Sequence, residues 1–178
     1  GPLDDQRYRE YANNIHESGK HLLAILNDIL DVSRLETGVW QLVERDVDLN
    51  MVVDSVARMV RDRTTQAGLT LDISCDADLA EVLADERMVR QMLLNLLSNA
   101  AKFTPEGGTI SVQSLRTEAG ESILRVRDTG VGIAEENFEK ILMPFGQVEN
   151  ALSRSTGGTG LGLSLVKSMI ELHDGEIR

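Results

Sequence analysis

The sequence predicts a two-layer α/β sandwich, in which a mixed sheet carries helices on one face and follows a long bundle-type helix. Apolar residues spaced three and four apart indicate the helices, and alternating apolar and polar residues indicate the strands. The two kinds of segment are interleaved along the chain, which is typical of folds that pack helices on a sheet. With 178 residues, the chain is long enough for one such domain and an additional element.

The composition excludes several classes of protein. Hydrophobic residues at 42% and charged residues at 26% indicate a folded domain rather than a disordered chain. The net charge of −11 argues against a nucleic-acid partner, because nucleic-acid phosphates would be repelled. The single cysteine, Cys75, excludes an internal disulfide and a cysteine-based zinc site, and we expect it to be an ordinary strand or buried residue.

The chain contains neither a membrane-spanning stretch of about 20 apolar residues nor a signal peptide, so we expect it to be cytoplasmic. Gly1-Pro2 is typical of a residue pair left by a protease, and Gly175 to Arg178 resembles the opening of a strand. We therefore expect both ends to be cut from a longer protein, with any membrane anchor outside these residues.

Arg7 to Glu36 predicts one long helix that ends at Thr37-Gly38. Its apolar residues form a heptad seam, which is typical of packing against other helices: Ala12, Ile15, Gly19, Leu22, Leu26 and Ile29. Four more widen the stripe toward a four-helix bundle: Leu23, Ile25, Leu30 and Leu35. No second long heptad segment follows, so we expect a homodimer through residues 12–29 or a neighbouring helix to cover the seam.

The next segments alternate between strand and helix patterns. Val39 to Leu42 predicts a short strand, and Asp48 is a good N-cap for a helix from Leu49 to Ala67. The apolar side of this helix is predicted to comprise Val52, Val53, Val56, Met59 and Val60. Gly68 ends the helix, and alternation from Leu69 to Ile73 predicts a strand.

The second half of the chain also alternates between strand and helix patterns. Val82 to Ala84 predicts a strand, and Asp85 caps a helix reaching Phe103 whose inner residues are predicted to be Met88, Val89, Met92, Leu93, Leu96 and Leu97. The remaining predicted elements are a turn at 105–108, a hairpin at 110–115 and 122–127, a helix near 135–141, a lid-like loop at 144–158, and a helix at 161–172.

Two glycine clusters indicate a phosphate ligand. Asp128-Thr129-Gly130-Val131-Gly132-Ile133 follows a strand, and the segment from Gly157 to Leu163 opens a helix. Glycines allow close approach of the backbone to a ligand, and a helix N-terminus attracts anions. Neither cluster has the spacing of a P-loop or of the dinucleotide fingerprint. Taken alone, each cluster would equally suit a turn followed by a helix cap.

The helix ending at Phe103 supplies a third element. Asn95 and Asn99 are four residues apart and share one face in an otherwise apolar run. They either bridge neighbouring backbone or supply amide oxygen to a hard cation such as Mg²⁺, whose other ligands are water and phosphate. Lys102 and Phe103 add a positive charge and a flat ring.

Together, LLNLLSNAAKFTPEGG, DTGVGI and GGTGLGLSLVKSMIELHDGEI resemble the N, G1 and G2 boxes of sensor histidine kinases, which have the Bergerat nucleotide fold shared with gyrase, Hsp90 chaperones and MutL. Phe145 resembles the F box. HLLAILNDILDVSRLETG resembles the second helix of the dimerisation and phosphotransfer bundle, and its details are similar to the PleC/DivJ-type kinases. The resemblance implies a partial bundle domain at 1–38 and an ATP-binding domain at 39–178 with a truncated C-terminal strand.

The resemblance also implies the site. Asn99, with Asn95 beside it, would hold Mg²⁺; Lys102 and Arg154 would neutralise the phosphates and stabilise the transition-state charge; and Asp128 would accept from the adenine amino group. The remaining expected ATP-binding residues are Phe103, Gly130, Gly132, Phe145, Gly158, Thr159, Gly160, Leu161 and Gly162. The implied partners are a response regulator and the bundle helix that carries the acceptor histidine.

No histidine of this chain fits the acceptor motif. His16 precedes Glu17, but Ser18-Gly19-Lys20 then replaces the expected Arg-Thr-Pro. We therefore expect the acceptor to be absent from these residues and autophosphorylation of the chain alone to fail. Gyrase-type relatives carry a general-base Glu at the position of Asn95, so we expect very slow ATP hydrolysis here.

Three other functions share parts of these patterns. A pseudokinase or nucleotide-sensing module would bind ATP or a partner without phosphotransfer. A gyrase or chaperone ATPase is disfavoured by Asn95, and an anti-sigma serine kinase is disfavoured by the preceding bundle helix. An α/β scaffold without a ligand would not need the ordered set of motifs.

Overall fold

The computed structural model describes residues 6–36, 41–77, 79, 81–148 and 158–178, which fall into two compact units, Gly1–Trp40 and Gln41–Arg178. The first unit contains the long helix α1 (Gln6–Glu36). Eight of its large apolar side chains are exposed: Tyr8, Tyr11, Ile15, Leu22, Leu23, Leu26, Ile29 and Leu30. Among the helices of the described ranges, none combines the length and the apolar character required to cross a bilayer.

The second unit alternates strands and helices. Its described elements are β1 (Arg45–Val47), α2 (Leu49–Gln66), β2 (Thr70–Cys75), β3 (Val82–Ala84), α3 (Glu86–Phe103), β4 (Thr109–Arg116), β5 (Ser122–Asp128), a 3-10 helix (Glu135–Asn137), α4 (Phe138–Ile141) and α5 (Gly162–Leu172). Strand β4 lies between β2, to which it is parallel, and β5, to which it is antiparallel. Strands β1 and β3 form a separate antiparallel ribbon. The predicted mixed sheet is confirmed.

The core lies between the three-stranded sheet and the helices. Helix α3 contacts α2, α5 and the sheet, so it is the central helix of the second unit. The largest fully buried side chains come from all of these elements and include Val53, Val56, Leu93, Leu97, Ile110, Val112, Leu161, Leu165 and Met169. Burying each such side chain contributes roughly 1.5–3 kcal/mol to folding. This packing fixes α3, which carries the predicted amide pair.

Both predicted helix caps are confirmed. The Asp48 carboxylate accepts hydrogen bonds from the backbone N–H groups of Asn50 at 2.9 Å and Met51 at 3.1 Å. The Asp85 carboxylate accepts from Arg87 N at 3.0 Å and Met88 N at 3.4 Å. Each cap satisfies backbone donors that the first helical turn leaves without partners, so the sequence signal marks both helix starts.

Several local predictions differ from the structure. The strand predicted at Val39 to Leu42 is wrong for Gln41 and Leu42, because the segment that pairs with β3 begins at Arg45; residues 39 and 40 lie outside the described residues. The helix predicted near 135–141 divides into a 3-10 helix and the one-turn α4. No strand includes Gly175 to Arg178 among the residues that the structure describes.

Three residues that were predicted to be buried are not. Met59, predicted on the apolar side of α2, is 60% exposed, and Val60 of α2 and Leu96 of α3 are only half-buried. The apolar stripe of α2 is therefore wider than the surface it packs against. Cys75 ends β2 as a half-buried, unpaired thiol, which agrees with the prediction of a strand residue.

Asp85 connects three separate parts of the second unit. Its side chain accepts from Val43 N at 3.2 Å and pairs with the Arg87 guanidinium at 2.8 Å, while its own backbone N–H donates to His173 Nε2 at 2.9 Å. Burial by itself would raise the pKa of Asp85, but the bonds from Arg87, Val43 and Met88 outweigh it and lower the pKa from 3.8 to about 2. The folded state therefore favours the ionised carboxylate.

We expect Asp85→Asn to destabilise the second unit by about 2 kcal/mol above pH 4, because the variant lacks the ionised form that the fold prefers. The difference from the parent should shrink as the pH falls from about 4 toward 2, where the folded carboxyl becomes protonated. Urea denaturation followed across this pH range measures it.

The matched control is Asp54→Asn, because Asp54 pairs with Arg58 on the exposed surface of α2. This variant should cost less than about 1 kcal/mol at every pH. An Asp85→Asn penalty that is independent of pH would contradict the assignment of the stabilising charge to Asp85.

Candidate functional site

Asn95 and Asn99 lie on the face of α3 that meets the start of α5. Asn95 Nδ2 lies 3.4 Å from Gly162 O, and Asn95 Oδ1 lies 3.4 Å from Gln91 Nε2. A Cβ built on Gly162 would lie 3.7 Å from Asn99 Nδ2. Among the described residues, none hydrogen-bonds the half-buried Asn99 amide. This amide is therefore available to a ligand, because polar groups at such positions otherwise require partners.

Lys102 brings a positive charge to the last turn of α3. Its Nζ lies 4.8 Å from the centre of the Phe103 ring, and a Cβ on Gly158 would lie only 2.5 Å from this nitrogen. Burial lowers the pKa of Lys102 from its usual value of 10.5. An anion beside the ammonium group would offset this desolvation, so the position suits a phosphate oxygen.

The loop after β5 is held against the C-terminal end of α3. Asp128 Oδ1 accepts from Gly130 N at 2.8 Å, and Val131 N donates to Phe103 O at 3.3 Å. A Cβ on Gly130 would overlap the Phe103 carbonyl and the Asp128 carboxylate. Within the described residues, the second Asp128 carboxylate oxygen has no partner, so it can accept a hydrogen bond from a ligand.

The first residues of the loop predicted at 144–158 contact its last residue and the glycine cluster that follows it. Gln147 Nε2 donates to Gly158 O at 2.9 Å. Gly160 adopts φ +71°, and a Cβ there would lie 2.8 Å from the backbone carbon of Phe145. Phe145 itself has φ +63° and an exposed ring. Gln147 therefore joins the two ends of a segment whose residues 149–157, including Arg154, lie outside the described residues.

Helix α5 begins directly after this glycine cluster. Leu161 is fully buried, and its backbone N–H donates to Thr159 Oγ1 at 3.1 Å. The first turn of α5 keeps backbone N–H groups without partners in the helix, and they carry the positive end of the helix dipole. This end lies beside Asn95 and Asn99, so the arrangement suits an anion accompanied by a cation.

The donor set fits Mg²⁺ bound together with phosphates. In the described part of the chain, no group of three or more His, Cys, Asp or Glu side chains could hold a metal. Asn99 offers a free amide oxygen, and Mg²⁺ commonly takes one or two protein ligands and completes its shell with water and phosphate oxygens. The free amide and the nearby helix start therefore fit a metal that arrives with its nucleotide.

The structure places most of the predicted site residues around this α3–α5 junction and the adjoining loops. Sequence reasoning missed two supporting residues. The only signal for Gln147 in the sequence was a polar residue close to Phe145. Thr129 Oγ1 accepts a hydrogen bond from Thr109 N at 2.9 Å, which holds the loop after β5 against β4. Gly132 has φ +67°, a conformation that favours glycine, and a Cβ there would meet nothing within 4 Å.

Curated relatives are longer than this chain. It is 50% identical over 178 residues to the "Non-motile and phage-resistance protein" of Caulobacter vibrioides, covering 98% of this chain and 21% of the relative. It is 37% identical to the "Cell-division control histidine kinase PdhS" of Brucella abortus, covering 96% of this chain and 17% of that protein. The chain thus spans about a fifth of these relatives.

Solved structures share the fold. Full-length ShkA in complex with AMPPNP superposes with a TM-score of 0.78 at 33% identity, covering 92% of this chain and 33% of that one. Histidine kinase ThkA in complex with response regulator TrrA gives 0.74 at 26% identity, with coverages of 98% and 49%. Residues 84–178, which contain the amide pair and both glycine loops, match the family model directly. The chain belongs to the histidine kinase-, DNA gyrase B- and HSP90-like ATPase family, and its fold is that of the sensor histidine kinases.

Proposed function

We propose that this chain is the ATP-binding catalytic region of a sensor histidine kinase and that it delivers the γ-phosphoryl group of Mg²⁺-ATP to a histidine on the dimerisation bundle. The free Asn99 amide beside the start of α5 carries the proposal, because it unites a metal ligand with a phosphate-binding helix end. The family match and the AMPPNP complex of ShkA support the nucleotide.

The proposed nucleotide contacts are those that the family resemblance implies. Asp128 accepts from the adenine amino group, Lys102 and Arg154 neutralise phosphate charge, and Phe103 and Phe145 flank the nucleoside. The glycine backbone of both loops approaches the ligand at Gly130, Gly132, Gly158, Gly160 and Gly162. Mg²⁺, when bound, neutralises and orients the phosphates, while these side chains position them for transfer.

Residues 1–38 are proposed to be the second helix of the bundle, and residues 39–178 the catalytic domain. The exposed seam of α1 supports a homodimer through residues 12–29, because large apolar side chains are otherwise costly in water. Light scattering that gives a monomeric mass at high concentration would contradict the dimer. We propose a cytoplasmic location and leave the PleC/DivJ-type assignment as a hypothesis within this family.

The acceptor histidine is proposed to lie outside this chain. His16 is exposed on α1 without the acceptor motif, and the side chain of His21 lies outside the described residues. Both ring nitrogens of His173 are engaged, since Nε2 accepts from Asp85 N and Nδ1 lies 2.7 Å from Met169 O. A response regulator is the proposed downstream partner, as the ThkA–TrrA complex supports.

The test is phosphotransfer from γ-labelled ATP, with and without an added bundle segment that carries an acceptor histidine. We expect acid-labile label on the added histidine, none on His16, and steady-state ATP hydrolysis below about 0.1 per second, because Asn95 is no general base. Nucleotide binding without any transfer would favour a pseudokinase or sensing module instead, and label on His16 or rapid hydrolysis would contradict the proposal.

A further inference from the structure

A second concave site lies between α2 and α3, next to the α5 junction. It is a groove of about 330 Å³ between α2 and α3, and this volume is at the lower end of small-molecule pockets. Its apolar walls include Met59 and Val60 of α2 and Leu94 and Ala101 of α3. The 60% exposure of Met59 is thus explained by its position on the rim of the groove.

The polar lining of the groove includes two donors that are not in use, Arg63 and Ser98, whereas Thr64 Oγ1 and Asn95 Nδ2 donate to backbone oxygens. Arg63 is its only charged lining residue, and no carboxylate lines it among the residues described. Neither the Arg63 guanidinium nor the Ser98 hydroxyl has a hydrogen-bond partner within the described ranges. Because the charged lining of the groove is a guanidinium without a lining carboxylate, it favours an anionic group in the groove although the chain has a net charge of −11.

We propose that the α2–α3 groove binds a small apolar carboxylate, whose head group accepts from Arg63 and Ser98 and whose hydrocarbon part lies against Met59, Val60, Leu94 and Ala101. The limited volume selects a small molecule over a helix of a protein partner. Asn95 lines the same groove and also reaches Gly162 O, so the groove shares one side chain with the nucleotide site without overlapping its glycine loops.

Octanoate titrated into the ¹⁵N-labelled chain, with and without saturating Mg²⁺-AMPPNP, tests the proposal by NMR. We expect amide shifts at Arg63, Ser98 and Ala101 that saturate with a dissociation constant on the order of 1 mM, as a ligand of this size allows. Arg63→Gln should weaken binding about tenfold, which corresponds to one charge-assisted hydrogen bond.

Two further variants sharpen the test. Ala101→Met fills the groove without changing its charge and should abolish the saturable shifts, whereas Arg58→Gln, on the same helix but paired with Asp54, should leave them unchanged. Equal binding by the parent and Arg63→Gln, shifts confined to residues 6–36, or displacement of octanoate by AMPPNP would each overturn the proposal. Since octanoate is also titrated without nucleotide, a failure of ATP binding would be seen separately.

Discussion

Replacing Asn99 by Ala is expected to remove the magnesium-dependent part of nucleotide affinity, with a loss of about 10- to 150-fold. The variant leaves the phosphates near the α5 start but deletes the only amide of the pair that is free of partners in the described residues. Losing a ligand to a charged centre costs roughly 1.5–3 kcal/mol, which corresponds to this factor. Calorimetric titration with AMPPNP, in Mg²⁺ and in EDTA, measures it.

The same variant should fold normally, because Asn99 makes no hydrogen bond to another described residue, so its removal leaves no buried group without a partner there. Its thermal midpoint should therefore stay close to that of the parent. Asn27→Ala, on α1 in the other unit, is the control and should keep both the affinity and its magnesium dependence. An Asn99→Ala protein that binds AMPPNP as tightly and as magnesium-dependently as the parent would contradict the proposed metal site.

The parts of the fold that local chemistry determines could be predicted from the sequence. Asp48 and Asp85 cap their helices through contacts to residues two and three positions later, so each start is encoded within four residues. The bounds of α3, from Glu86 to Phe103, agree with the prediction for the same reason. Strands β4 and β5 are long enough for their alternation to identify them.

The parts that depend on distant partners could not be predicted in this way. Strand β1 has three residues, and it is a strand only because Val82 to Ala84 lies beside it. The apolar spacing of α2 predicted that Met59 would be buried, but periodicity gives the direction of a side chain and not the width of the surface it meets. The hydrogen bond from Asp85 N to His173 Nε2 joins residues 88 positions apart, and no local sequence pattern predicts it.

The candidate site was predicted through motifs rather than through geometry. Glycine spacing marked Gly130 and Gly160 as positions of close approach, and the structure places them against Phe103 and Phe145 respectively. The amide pair was predicted to share one face, and it does so at Gly162. The contact of Gln147 with Gly158 was missed because it depends on the return of the chain after residue 157.

Gly130→Ala should weaken nucleotide binding by about 10- to 100-fold and also destabilise the second unit by about 1–3 kcal/mol. The added Cβ overlaps the Phe103 carbonyl, which is backbone at the end of α3 and cannot rotate away as a side chain would. The loop must therefore shift away from α3, and the hydrogen bond that sets the Asp128 carboxylate, from Gly130 N, shifts with it. Calorimetry with AMPPNP and urea denaturation measure the two effects.

Gly120→Ala separates backbone strain from damage to the site. Gly120 has φ +88°, so Ala is strained there by about 1 kcal/mol, but the nearest atom to its Cβ is a flexible Arg116 nitrogen at 3.8 Å. The position lies at the opposite end of β5 from Asp128, about 20 Å away along a seven-residue strand. Gly120→Ala should thus be less stable than the parent but bind AMPPNP with the same affinity. If Gly130→Ala and Gly120→Ala bound AMPPNP equally well, the close packing of Gly130 on α3 would not be what holds the Asp128 carboxylate in place.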